Sequence, residues 1–325
     1  MDRLIQAMVV VIGVPLATVG YVVVSERLLS LLSDHVQLHI RPWVWLAPTL
    51  AFLAVFLVYP SINTVYLSFL DATSTSWLGL ANYRALFLDP TVLNALRNNL
   101  IWLLVFTSAT VAIGLLVAVL ADRVPYEGVA KTAIFLPMAV SFVAAGVIWK
   151  LVYDYRPPPL PQTGSLNAFL TAVLPGFEPQ AWFVNNAPFN NLALIAAAVW
   201  VWTGFCTVIL SAGLKSVPAE LIEAARVDGA TEWQVFRMII VPMLGSTIAV
   251  VTTTMIIFAL KAFDIVYVTT NGNFDTEVLA NRMYKEMFNV HDFGRASALA
   301  VLLLLAIVPV MILNVRRFRQ QEEMR

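Results

Sequence analysis

Residues 220–242 read ELIEAARVDGATEWQVFRMIIVP, the longest polar, helix-patterned stretch in a chain of 325 residues that is otherwise mostly apolar spans. Hydrophobic runs long enough to cross a bilayer flank it on both sides, at 191–214 and 246–269. A compact charged element strung between two membrane spans faces water and has something to touch.

The flanking runs set the fold class. Hydrophobic residues make up 60% of the chain and charged ones 12%, with a mean hydropathy of +0.80, values far outside those of soluble domains. Seven runs are long and apolar enough to span: Leu4 to Val24, Trp43 to Phe69, Leu100 to Ala121, Thr132 to Tyr153, Asn191 to Leu214, Ser246 to Thr269 and Ala296 to Val315. The expected fold is therefore an all-α, polytopic transmembrane helical bundle of about seven spans. The first run is too long for the apolar part of a signal peptide, and no small-residue cleavage site follows it. Net charge is zero, which gives nucleic acid no basic face to bind. The single cysteine, Cys206, lies in an apolar run and reads as a small buried hydrophobe.

Lys and Arg in the connections give the orientation. Arg316, Arg317, Arg319 and Arg325 in the tail, Lys215, Arg226 and Arg237 in the opening stretch, and Arg123 with Lys131 after the third span belong inside. Connections 71–99, 154–190 and 271–295 then face outward, with Arg282 and Lys285 on the wrong side beside the acids Glu277 and Glu286. Seven spans put the three-residue head outside. Between the first two spans, Leu28, Leu32, Val36 and Ile40 recur at steps of four, which predicts an interfacial amphipathic helix over 25–40. The chain thus divides into 1–42, the first span with its surface helix, 43–317, the transmembrane domain, and 318–325, a cytoplasmic tail. The proline run Arg156-Pro157-Pro158-Pro159-Leu160-Pro161 predicts a stiff polyproline II spacer without a core.

Within the polar stretch, Pro218 and Glu220 start a helix, Pro lacking a donor where none is needed and the carboxylate meeting the positive dipole end. Asp228-Gly229 stops it, and Thr231 with Gln234 reads as the capping box of a second helix that ends by Pro242. Ala224 and Ala225 leave the first helix slim, so another surface can approach it. The product is two short helices about a fixed bend, more than a simple connection needs.

Glu223-Ala224-Ala225, Asp228-Gly229-Ala230, Phe236, Ile239 and Pro242 resemble, in type and spacing, the EAA loop of permease subunits of bacterial ABC importers, with Gly245 a departure where many members have proline. The resemblance implies a type I importer permease fold, with residues 215–245 as a cytoplasmic coupling loop seated on an ATPase. Glu220, Glu223, Ala224, Ala225, Asp228, Gly229 and Ala230 are then the coupling residues. Asn82-Tyr83, Leu86-Phe87, Leu136-Pro137, Trp149-Lys150, Gly164-Ser165-Leu166-Asn167 and Asp292-Phe293-Gly294-Arg295-Ala296 extend the likeness to the F-type permease of maltose-type carbohydrate importers. Phe263-Asp264-Ile265-Val266, Thr270-Asn271-Gly272-Asn273-Phe274 and Val278-Leu279-Ala280-Asn281 resemble its alpha-glucoside branch, while the first 40 residues lie outside the likeness. It implies a prokaryotic inner-membrane, non-catalytic subunit for sugar import. Its partners would be a second homologous permease, two ABC ATPase copies that hold ATP and Mg, an extracytoplasmic solute-binding protein and membrane lipid. No cofactor would be held by this chain.

A solute path needs polar or aromatic groups on one face within the bilayer. Trp200, Gly204 and Thr207 share a face before the loop; Met255, Ala259 and Ala262 follow it at positions that the resemblance matches to the sugar site, without its polar types. Lys261 and Asp264, three apart, form a candidate charged pair beside them, read either as mutual neutralisation against a partner permease or as contacts to sugar hydroxyls. Ordinary helix packing with an interfacial tryptophan is the competing reading for Trp200, Gly204 and Thr207. His35, His39 and His291 form no metal-binding motif, and no phosphate-binding GxxxxGK[ST] occurs, so any ATP used is hydrolysed elsewhere. Another small solute as cargo, an ion-coupled secondary transporter and a non-transporting membrane receptor are the alternatives.

Overall fold

The computed structural model describes residues 2–184 and 187–323; Met1 and Arg325, at the two ends of the expected topology, lie outside them. The described chain is helical, with no strand and one isolated bridge between Leu70 and Trp77. It separates into two compact units, 1–64 and 65–325.

The first unit is a helical hairpin. Helix α1 (Asp2–Leu29) ends at a turn, and α2 (Asp34–Leu67) starts after Ser33, whose extended backbone (ψ 149°) marks the cap. The surface helix expected over 25–40 is therefore absent: of its period-four apolar residues, Leu28 lies at the end of α1, Leu32 lies in the turn, and Val36 and Ile40 belong to α2, which begins at a Ser-Asp start signal that outweighs the apolar spacing. The helix runs unbroken across residues 42 and 43. Across the hairpin Glu26 accepts a two-pronged hydrogen bond from Arg41 (3.1 and 2.7 Å) and one from the Trp45 indole (2.9 Å).

The second unit packs around α8 (Phe189–Leu214). Two-thirds of its apolar window is buried, 67% against 28–33% for the other long apolar helices of this unit, so α8 is the centre of the bundle. Before it come α3 (Ala81–Leu88), α4 (Pro90–Ala121), α5 (Glu127–Phe135), α6 (Phe142–Val152) and α7 (Ser165–Val173). Small residues let the backbones meet, the usual device where lipid removes the hydrophobic drive. A Cβ on Gly114 of α4 would lie 2.5 Å from the Cβ of the buried Cys206, and one on Gly204 would lie 2.5 Å from the Ile134 carbonyl of α5.

Among the described residues six helices are long and apolar enough to span, or seven when a bent pair is counted as one span. That pair, Glu127–Ala139 and Phe142–Val152, is the run expected as one span over 132–153; it bends by 99°. Pro137 sits in a short 3-10 turn that ends the first arm, and the Ser141 hydroxyl caps the second by accepting from the Ala144 amide (3.2 Å). After α8 the chain continues through α9 (Ala219–Val227), α10 (232–243), α11 (Gly245–Leu260), α12 (Asp264–Thr269), α13 (Leu279–Lys285) and α14 (Phe293–Glu323).

Two connections are more built than expected. The proline run closes into a loop instead of an extended spacer: Gln162 bonds the Arg156 amide (3.1 Å) and carbonyl, a turn bonds Leu160 to Pro157, and the buried Asn167 joins Asp154, Gln180 and Trp182. In 271–295, Lys285 pairs with Glu277 (2.7 Å), Arg282 with Glu286 (2.6 Å) and Arg295 with Asp89 (2.9 Å). The basic residues that conflict with the charge rule are thus neutralised locally, against acids that are almost wholly buried.

Candidate functional site

The stretch 218–243 folds as two helices about one left-handed residue. Pro218 is the N-cap of α9 instead of lying in its first turn, Glu220 lies in that turn and Arg226 in the last, both matching the helix dipole. Gly229 takes φ +83°, the Ala230 amide donates to the Ala225 carbonyl (2.9 Å) and the Gly229 amide to that of Arg226 (3.1 Å), a Schellman stop. Open space surrounds the place where a Gly229 side chain would sit, so the turn demands glycine for its dihedral alone. The capping box forms in full: Gln234 donates its amide to Thr231 Oγ1 (3.3 Å), and the Thr231 amide donates to Gln234 Oε1 (2.7 Å).

The second helix does not stop at Pro242. It widens into a π turn at Phe236–Ile240, passes Val241–Met243 and one turn residue, Leu244, and enters α11. The wide turn lies where a proline ring would strike the carbonyl four residues back, so Pro242 is accommodated within the helical path.

The bend is also clamped by charge. Arg226 Nε donates to Glu232 Oε1 at 2.8 Å, and Arg123 in the α4–α5 turn reaches Glu232 Oε2 at 3.3 Å. The guanidinium of Arg226 holds the Glu232 carboxyl below its ordinary value, and Glu232 in turn raises Arg226. These partners escape a reading of the sequence because they pair across a bend or from 109 residues away, outside the helical i, i+4 rule. Glu127 and Lys131 do obey that rule, and they are the one legible signal of the charge cluster beneath the loop.

Glu220, Glu223, Ala224, Asp228 and Gly229 are exposed, and Ala225 and Ala230 half-buried. Glu220, Glu223, Ala224 and Val227 share the outer face of α9. Beside them Val227 is 88%, Trp233 65% and Leu221 47% exposed. Rigid, capped, and carrying bare apolar groups next to charge, the bend has the anatomy of a docking surface.

The eight expected path residues do not converge. Gly204, Thr207, Met255 and Ala259 lie in the packed core; Gly204 is filled by the α5 backbone, and Thr207 donates to the Thr203 carbonyl (2.9 Å). Trp200 faces a separate cavity with Ile134, Pro137 and Thr203 and stacks edge-on with Trp149. Lys261, Ala262 and Asp264 do share a cavity of about 180 Å³, walled by Trp102, Phe142, Trp202 and Phe258. Lys261 and Asp264 are not one face of one helix, because the chain breaks at 261–263 with Phe263 at φ −144°, ψ −63°. No ion pair among the described residues includes either. Composition carries no signal for this break, since neither glycine nor proline lies in it. The aromatic wall escapes a reading of the sequence, though Trp202 stands only two residues from Trp200, on the face that enters the core.

A family model described as binding-protein-dependent transport system inner membrane component matches residues 110–318. The osmoprotective compounds uptake permease protein GgtC of Synechocystis sp. is 55% identical over 282 residues, 87% of this chain and all of that protein. The alpha-glucoside transport system permease protein AglF of Rhizobium meliloti is 47% identical, over 85% of this chain and 82% of that one. In fold, the chain matches a subunit of a bacterial ABC transporter involved in alginate import with a TM-score of 0.72 at 22% identity, over 87% of this chain and 99% of that chain. Family and spans agree: this chain belongs to the binding-protein-dependent transport system inner membrane components, as a multi-pass, non-catalytic ABC importer permease whose ATP is hydrolysed by a partner ATPase.

Proposed function

We propose that this chain is one of two homologous permeases of an ATP-driven sugar importer, with residues 43–317 as its transmembrane domain, 215–245 as the loop seated on the ATPase and 318–325 as a cytoplasmic tail. Two ATPase copies lie below and a solute-binding protein delivers cargo from outside. The observation that carries the reading is the clamped bend of α9 and α10. Only a rigid element can transmit displacement, and this one presents Glu220, Glu223, Ala224 and Val227 outward on a helix ended by a fixed left-handed turn. ATPase closure moves the bend, the bend moves α8 and α11, and the path alternates its opening.

Sugars of the alpha-glucoside type are the proposed cargo, supported by the name of the relative from Rhizobium meliloti. The greater identity to a permease for osmoprotective compounds favours a second reading, a compact neutral osmoprotective solute. Both fit a path whose polar groups, Lys261 and Asp264, offer a donor and an acceptor beside aromatic walls. A thermal-shift screen of the partner binding protein against maltose, a small neutral polyol and charged sugars separates the cases. Stabilisation by maltose supports the first, stabilisation by the polyol without maltose supports the second, and stabilisation by charged sugars alone contradicts both. For coupling, Glu223→Lys in the assembled importer should stop uptake while hydrolysis continues, and normal uptake would remove the loop from its role.

A further inference from the structure

Helix α9 leaves the end of α8 through a link of only four residues, 215–218, and such a link could swing. It is bridged at both ends. Lys215, on the α8 side, pairs with Glu127 at 2.7 Å, and Glu232, past the bend, pairs with Arg123 at 3.3 Å. Arg123 lies in the turn between α4 and α5, and Glu127 is the first residue of α5. Glu127 also pairs with Lys131, whose ammonium donates in turn to the Ser211 hydroxyl of α8 and approaches Asp122 at 3.5 Å.

The turn is itself the rigid corner of a tightly packed group. Gly114 brings α4 against α8 at Cys206, and Gly204 brings α5 against α8 at Ile134 and Phe135, each at a separation that excludes even a methyl group. A corner fixed on three helices cannot follow a swinging loop by bending. It either holds the loop or lets it go.

We propose that the α4–α5 turn is the second half of the coupling element: Arg123 and Glu127 are positioning residues that fasten the bend at two points, so that its displacement drives α5, the first arm of the bent span, instead of swinging about 215–218. The inference rests on the coupling reading of 215–245. Its consequence reaches the path, because α5 runs into the 3-10 turn at Pro137, after which the span turns by 99° into α6, which carries the cavity wall residue Phe142. Exposed ion pairs contribute little to folding stability, and nothing here requires them to; their geometry sets direction, as a strut does.

The test is a pair of distances in the assembled importer, which needs no knowledge of the cargo. Spin labels replace Met238 and Val129, 71% and 73% exposed, in a Cys206→Ala background, and a second pair replaces Met238 and Val173. Each is measured nucleotide-free and with ATP and vanadate trapped. The expected result is that 238–129 keeps its distribution while 238–173 shifts. In R123A/E127Q the 238–129 pair then shifts or broadens on trapping, and E127D in place of E127Q restores part of the wild-type behaviour. A wild-type 238–129 distance that moves on trapping as far as in the double variant overturns the strut. A 238–173 distance that does not move in any form sinks the coupling reading beneath it. Solute moved per ATP should fall roughly two- to thirtyfold in R123A/E127Q, the range of couplings carried by such networks. An unchanged ratio also overturns the proposal.

Discussion

The connection 270–292 and the bend 215–245 are made from the same materials and come to opposite ends. Each turns through left-handed backbone, five residues in the first and Gly229 alone in the second, and each has side-chain caps and ion pairs. In the first, Asn98 donates to the carbonyls of Asp275 and Glu277 (2.6 and 2.8 Å), Asn99 accepts from the Leu279 amide (2.8 Å), and Glu277 and Glu286 are 3% and 0% exposed. In the second, the pairs stand at the surface and large apolar side chains stand bare beside them. One region spends its polar groups on itself and the other holds a shape for something else. Burial of a charge network commits it to structure, while exposure of a rigid one leaves it free for a partner.

The contrast can be broken by substitution. Glu286→Ala removes the buried carboxylate that Arg282 and Arg295 share, leaving both to Asp89, and should cost about 3 kcal/mol, the low end for a broken buried pair, seen as a lower thermal midpoint of the detergent-purified complex. A loss too small to detect would show that the buried network is not committed to structure. Gly294→Ala should cost about 1–3 kcal/mol, since the new methyl would lie 2.2 Å from the Leu70 carbonyl. Gly229→Ala has space but not the dihedral, and is expected to cost about 1–2 kcal/mol, measurable as the same midpoint shift. Should it cost more than Gly294→Ala, the ranking of space over strain fails.

Smallest is Glu232→Gln, expected to leave the midpoint unmoved while lowering solute carried per ATP. The same carboxyl gives a pH test. Arg226 depresses its folded value below the ordinary 4.5, so the clamp is complete above that value and is lost only as pH falls through the depressed one. Transport per ATP should therefore be flat from neutrality to mildly acid conditions as far as Glu232 is concerned. A fall in that window that Glu232→Gln abolishes would contradict the clamp.

Much of this was readable in the chain. The spans followed from apolar length, and the bend from Asp228-Gly229 and Thr231-xx-Gln234, because caps and turns are local chemistry. What escaped was non-local or competitive. Leu28, Leu32, Val36 and Ile40 carry a true helical period, yet Ser33 and Asp34 start a new helix within it. Pro137 alone is tolerated in a span; the 99° turn needs Ser141 to cap the second arm as well. Gly204, read as room for a solute, is room for a neighbouring backbone, because a missing side chain cannot say what fills its place. Lys261 and Asp264 looked like a helical pair only while the helix was taken to continue through Phe263.

The central claim is that the bend transmits work and binds no cargo. Its most direct test is Gly229→Pro in the importer reconstituted with its partners, with ATP hydrolysis and solute uptake followed in the same vesicles. Proline fixes φ near −65° where the turn holds +83° and removes an amide that donates to Arg226. The account predicts a correctly inserted permease in which hydrolysis persists and uptake falls at least tenfold, on the order of the loss when a coupling of about 1.4 kcal/mol or more is removed. Uptake and hydrolysis that keep their wild-type ratio in Gly229→Pro would contradict it.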